Sequence, residues 1–158
     1  MKSFILTILF SCFSLSASAG YVAQCWDNSC ETKGWTQKSA TSEIDHQCIR
    51  DNCDVNGWFK GNYNEGTYIT CKNSSCAMNG HYEFKRSNNI KVAEVVCNQS
   101  DCSRFGSITY SNQGVELLTC KNNDCQHSGW ISQRNGTVTE EIVCLNKNCL
   151  QFGWRNIR

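Results

Sequence analysis

One cysteine pattern recurs six times along this chain, and few architectures accept it. Cys-x4-Cys-x3-Gly occurs at Cys25/Cys30/Gly34, Cys48/Cys53/Gly57, Cys71/Cys76/Gly80, Cys97/Cys102/Gly106, Cys120/Cys125/Gly129 and Cys144/Cys149/Gly153. The spacing of the first cysteines is nearly constant, with its longest step from Cys71 to Cys97. Self-similarity at such a period marks a repeat protein, in which each unit buries its apolar face on its neighbours. Four of the six glycines are followed by tryptophan, at Trp35, Trp58, Trp130 and Trp154, whereas units three and four carry His81 and Ser107 there.

The residue before each second cysteine is Ser29, Asn52, Ser75, Asp101, Asp124 or Asn148. All belong to the set whose side chains accept a hydrogen bond from an early helical N–H. The repeat glycine five positions later ends helices without a Cβ penalty when it enters the left-handed region. The spacing therefore predicts a single helical turn, which costs more to nucleate than it returns and needs a covalent staple to persist. Before the first cysteine stand β-prone runs such as Tyr68-Ile69-Thr70, Val95-Val96, Leu117-Leu118-Thr119 and Ile142-Val143. After the glycine come Trp58-Phe59, Tyr82-Glu83-Phe84, Ile108-Thr109-Tyr110 and Trp130-Ile131. The segments between these runs, 62–66, 87–89, 112–114 and 135–136, carry hairpin-turn residues.

The expected fold is all-β: six disulfide-stapled β-hairpin repeats of about 23 residues, with a one-turn helix at each cysteine junction. The units fall near 21–43, 44–66, 67–92, 93–115, 116–139 and 140–158. No linker or low-complexity segment interrupts residues 20–158, which read as one domain. The chain opens on half a hairpin at 21–24 and closes on the other half at 154–157. Pairing of those halves gives a closed ring or barrel without exposed edges. An open β-solenoid is the other arrangement, although solenoid ends are usually atypical and these keep Gly-Trp.

Lys2, the apolar run 4–15 and the small-x-small sequence Ala17-Ser18-Ala19 make up the three parts of a secretory signal peptide, too short to span a bilayer. Removal of segment 1–19 takes away Cys12 and Lys2. Of the 13 cysteines 12 then remain, and of the 15 basic side chains 14, against 14 acidic ones. A second reading takes Leu9-Phe10-Ser11-Cys12 as a lipid-anchoring sequence with Cys12 as the modified terminus. Either route delivers the chain to a secreted or periplasmic location. Disulfides are the expected state of the cysteines there, paired within each unit as the simplest choice across the short x4 loop. Pairing between neighbouring units and cysteine-ligated zinc are the alternatives; no histidine recurs at a ligand position. Leu, Ile, Val and Phe make up about 17% of the chain after the export segment, below the roughly 20% at which chains commonly fail to build a core. The staples are expected to compensate.

Chemistry is harder to find. His46, His81 and His127 sit in different phases of the repeat, and no phosphate loop or Cys-x-x-Cys redox pair occurs. No catalytic residue, cofactor or metal is indicated, and zero net charge gives nucleic acid nothing to bind. The aromatic residues are the candidates for binding. Trp35, Trp58, Trp130 and Trp154 share one strand face, where they either shield disulfides and pack on the next unit or form platforms for a sugar or protein. The departing units add His81, Tyr82, Phe84 and Tyr110, beside a three-residue insertion near 85–89 of the kind that marks a binding face in repeat proteins. The expected function is a non-enzymatic exported protein that binds another protein, as an inhibitor or immunity-type factor. A carbohydrate- or envelope-binding module, and a secreted toxin or hydrolase with an unrecognised site, are the alternatives. Asn73, Asn98 and Asn135 begin Asn-x-Ser/Thr sequons, which matter only in a eukaryotic secretory pathway.

Overall fold

The structure, a computed structural model, describes residues 20–61 and 65–158. Segment 1–19, read from sequence as an export signal, with Cys12, and residues 62–64 of the expected 62–66 turn, lie outside the described residues. Twelve strands follow: β1 (Val22–Cys25), β2 (Gly34–Lys38), β3 (Glu43–Cys48), β4 (Trp58–Lys60), β5 (Thr67–Cys71), β6 (His81–Lys85), β7 (Lys91–Cys97), β8 (Ser107–Ser111), β9 (Gly114–Cys120), β10 (Trp130–Arg134), β11 (Thr137–Cys144) and β12 (Trp154–Asn156). Each odd strand ends on the first cysteine of its unit. Each even strand starts at the repeat glycine or just after it.

All neighbouring strands pair antiparallel in chain order, and β1 also pairs with β12 through Val22↔Arg155 and Ala23↔Trp154. The two half hairpins therefore meet, and the sheet is a closed barrel rather than a solenoid. All six disulfides form within units, from Cys25–Cys30 to Cys144–Cys149, with Cα–Cα separations of 4.5 or 4.6 Å. Every cysteine junction lies at one end of the barrel and every hairpin turn at the other.

Five junctions contain the expected helical turn: α1 (Cys53–Asn56), α2 (Cys76–Asn79), α3 (Cys102–Phe105), α4 (Cys125–Ser128) and α5 (Cys149–Phe152). Their caps work as the sequence predicts, with Val55 N donating to Asn52 Oδ1 at 3.0 Å and Gln151 N to Asn148 Oδ1 at 3.1 Å. The first unit differs. Residues 30–33 form a hydrogen-bonded turn rather than a helix, although Thr32 N still reaches Ser29 Oγ at 3.3 Å.

The terminating glycine also departs from expectation. Gly57 has φ +80° and ψ −162°, positive in φ but extended in ψ, not the left-handed helical region. The cause is a close approach: a Cβ on Gly57 would lie 1.9 Å from the Ile69 carbonyl oxygen of the next unit. At the seam, Gly153 stands in the same relation to Ala23, where a Cβ would lie 2.0 Å from the carbonyl oxygen. The sixth unit thus meets the first as the second meets the third.

Cross-strand partners share a face, so register identifies the layers inside the barrel. Cys25↔Trp35, Cys48↔Trp58, Cys71↔His81, Cys97↔Ser107 and Cys144↔Trp154 put the post-glycine residues level with the cysteines. Two positions further in lie Ala23, His46, Ile69, Val95, Leu118 and Ile142, all buried except the half-buried Leu118. Beyond them the partners turn polar: Ala23↔Gln37, His46↔Lys60, Ile69↔Glu83, Val95↔Thr109, Leu118↔Ser132 and Ile142↔Asn156. The apolar core is one shallow belt near the cysteine end.

Candidate functional site: the aromatic ring and the axial cavity

Glycine gives the chain its turn into each even strand, and the next residue points into the barrel. Around the axis these six positions hold Trp130, Trp154, Trp35, Trp58, His81 and Ser107. Ring centroids are 5.5 Å apart for Trp130–Trp154, 5.5 Å for Trp154–Trp35, 5.6 Å for Trp35–Trp58 and 5.2 Å for Trp58–His81. Interplanar angles of 54–65° tilt each ring onto its neighbour, a favoured aromatic geometry. The arc of five rings stops at Ser107, which is 7% exposed and carries no ring.

A cavity of about 300 Å³ occupies this end of the axis. Its walls are Trp35, Trp130, Trp154 and His81, and it reaches Val95, Ser107 and Leu118. The mouth is framed by the residue after each second cysteine: Glu31, Asp54, Ala77, Ser103, Gln126 and Leu150. These come from all six units, held level because Cys53 N donates to Glu31 O at 2.7 Å and Cys30 N to Leu150 O at 2.8 Å across the seam. Disulfide sulfurs add contacts between units; Cys48 Sγ lies 3.3 Å from Cys30 O. Two of the lining residues are carboxylates, and no lysine or arginine lines the cavity. Asp54 is oriented by accepting from Ala77 N at 2.7 Å.

Below the ring sits His46, 5% exposed and stacked on Trp35 at 4.4 Å. Neither of its ring nitrogens has a hydrogen-bond partner, and burial, helped by the Lys60 charge, lowers its pKa from 6.5 to about 3. His81 Nε2 lies 3.6 Å from Glu83 Oε1, and this neighbouring imidazole holds the Glu83 carboxyl below its ordinary pKa. Deeper still, burial and the neighbouring Glu116 raise the pKa of Glu140, while Glu116 Oε2 accepts from Arg134 Nη2 at 2.7 Å. The lower lumen is thus polar and only partly paired, since Thr67 Oγ1 and Arg134 Nε are buried there without a hydrogen-bond partner.

The other aromatic candidates lie elsewhere. Tyr82 and Phe84 sit on the outer wall, where Phe84 stacks on Tyr68 at 5.1 Å and Lys72 and Lys91 cover the Tyr82 ring at 4.7 and 5.2 Å. Tyr110, also on the outer wall, is 48% exposed. The structure therefore divides the sequence candidates: Trp35, Trp58, Trp130, Trp154 and His81 form one interior group, and Tyr82, Phe84 and Tyr110 an exterior one. The six mouth residues were not singled out from sequence, although their constant place after each second cysteine is a usable signal. Among the described residues no cluster of three or more His, Cys, Asp or Glu side chains is arranged to hold a metal. No protein-family model, curated protein or solved structure matches the chain.

Proposed function

We propose that this chain is an exported, non-enzymatic binding protein that engages a protein partner with the cysteine end of the barrel, seating one partner side chain in the axial cavity. The cavity carries this reading. It is apolar and open, and lies at the low end of small-ligand pockets, which run from roughly 300 to 1,000 Å³. One inserted side chain suits that volume better than a larger free ligand. Buried aromatic pockets surrounded by a water-excluding rim are the usual centres of binding energy in protein interfaces, and a rim fixed by six disulfides loses little entropy on binding. The staples also suit the oxidising compartment to which the export sequence directs the chain. Among the described residues no helix is long and apolar enough to cross a membrane.

Rim variants test this. Ala77→Arg and Leu150→Arg crowd the mouth while leaving every disulfide cysteine in place. The partner recovered stoichiometrically on immobilised native protein is expected to be lost from both variants. Equal retention by native and variant proteins would overturn the reading. A glycan-binding function finds support only in the outer aromatic group around Tyr82 and Phe84. Saturable glycan binding that Tyr82→Ala abolishes and Leu150→Arg leaves intact would favour it instead.

A further inference from the structure

The shape of the cavity follows from the repeat itself. Four units place an indole after the glycine and a fifth places an imidazole; only the unit between His81 and Trp130 leaves the position without a ring. The space reaches Ser107, Val95 and Leu118 at that gap. Its walls include the two rings on either side of that gap, His81 and Trp130, members of an arc whose neighbouring centroids are 5.2–5.6 Å apart. The barrel thus describes its occupant: a flat aromatic group that completes the ring at position 107. Charge adds a second constraint. Glu31 and Asp54 are at the mouth with no lining cation opposing them, and the π-faces of tryptophan attract cations as well.

We infer that the cavity is a receptor for one aromatic side chain, tryptophan or tyrosine, borne on a basic segment of the protein partner. The inference rests on the proposed function above and names the chemistry of that same site. The aromatic ring enters beside Ser107, between His81 and Trp130. Flanking lysine or arginine residues of the partner lie over Glu31 and Asp54.

The test uses capped tripeptides, Lys-Trp-Lys and Glu-Trp-Glu, titrated into the uniformly ¹⁵N-labelled, fully oxidised protein. The unlabelled peptides are silent, and the five tryptophans give five indole N–H signals. Lys-Trp-Lys is expected to shift Trp35, Trp130 and Trp154 saturably while leaving unmoved Trp26, whose indole donates to Thr36 Oγ1 at 2.8 Å on the strand face opposite Trp35. It is expected to bind at least fivefold more tightly than Glu-Trp-Glu at low salt, and Glu31→Gln is expected to narrow that ratio. Ser107→Trp supplies the missing ring internally, so it is expected to raise the melting temperature and weaken Lys-Trp-Lys at least tenfold. Ser107→Leu fills less space and serves if the tryptophan variant does not fold; it is expected to weaken the peptide by a smaller factor. Native-like peptide binding by whichever Ser107 variant folds overturns the inference, as does a peptide that perturbs only Trp26 or none of the five. Failure of the two readings is distinguishable. If the partner is lost from the rim variants but the tripeptides do not bind, the proposed function stands and the aromatic receptor falls. If the tripeptides bind as described and the partner ignores the rim variants, the receptor stands and the proposed mode of partner binding falls.

Discussion

His46 shows what one polar side chain costs at an apolar position of a repeat. The equivalent positions hold Ala23, Ile69, Val95, Leu118 and Ile142, so an apolar residue is the rule and His46 the exception. It remains folded by staying neutral, because its ring nitrogens lack partners and a charge there would be buried unpaired. Its folded pKa of about 3 lies below the unfolded value near 6.5, so the unfolded chain takes up the proton first. The His46 contribution to stability is therefore level above about pH 6.5 and falls by up to about 1.4 kcal/mol per pH unit from there toward pH 3. His46→Phe keeps the stack on Trp35 and removes the proton site. Melting temperatures measured from pH 8 to pH 4 are expected to flatten in the variant; an unchanged slope would show that other groups set the acid sensitivity. The apolar residues at the equivalent positions mark His46 in the sequence as standing on the core face, but strand alternation does not say which face is concave.

The cysteine junction is the element in which sequence and structure agree most closely, and the disagreements have local causes. The capping residues were legible because Asn, Asp and Ser have one dominant use before a short helical turn. Removing one cap, Asn52→Ala, is expected to lower stability by about 1 kcal/mol in urea unfolding. The glycine was legible as a terminator, but its conformation was not, since the Ile69 carbonyl that excludes a Cβ belongs to the next unit. Gly57→Ala combines that collision with a strained backbone and is expected to cost on the order of 3 kcal/mol, well beyond the cap variant. A third sequence feature acquires its meaning only in the folded unit. Between each cysteine pair, two successive residues have positive φ, including Asn73/Ser74 and Asn122/Asn123. Asparagine tolerates that region better than most residues do, which accounts for part of the chain's richness in asparagine. Residues 30–33 fail to make the helix although Ser29 caps them, and no feature of their sequence accounts for the difference.

For the molecule as a whole, closure was readable from the two half hairpins, whereas the interior was not. Period-two alternation places Trp35, Trp58, Trp130 and Trp154 on the cysteine face, but only curvature decides that this face lies inside. The departures at His81 and Ser107 could be seen in the sequence; that they face one cavity required the barrel to close. A core this shallow leans on its staples. Each six-residue loop contributes about 2 kcal/mol in the chain-entropy model, and a domain of this size is stable by only about 5–15 kcal/mol. Full reduction is therefore expected to unfold the barrel, read as loss of the far-ultraviolet circular dichroism of the native protein. Removing the single bridge Cys71–Cys76 by paired serine substitution is expected to lower stability by about 2 kcal/mol and leave the fold intact.

The seam between β1 and β12 makes the place where the strand order is interrupted arbitrary. Asn156 N donates to Tyr21 O at 2.8 Å, so the outer ends of β1 and β12 lie side by side at the hairpin pole, among connections of the same kind. A short linker from residue 158 to residue 20 would turn the seam into a sixth hairpin. The ring could then be cut at 39–42 instead, giving a circular permutant with the same six staples, the same aromatic arc and the same gap beside Ser107. The barrel has an order of units around its axis, and closure itself marks none of them as first. Individuality lies in which unit forgoes its ring and which junction forgoes its helix, not in where the strand order is cut.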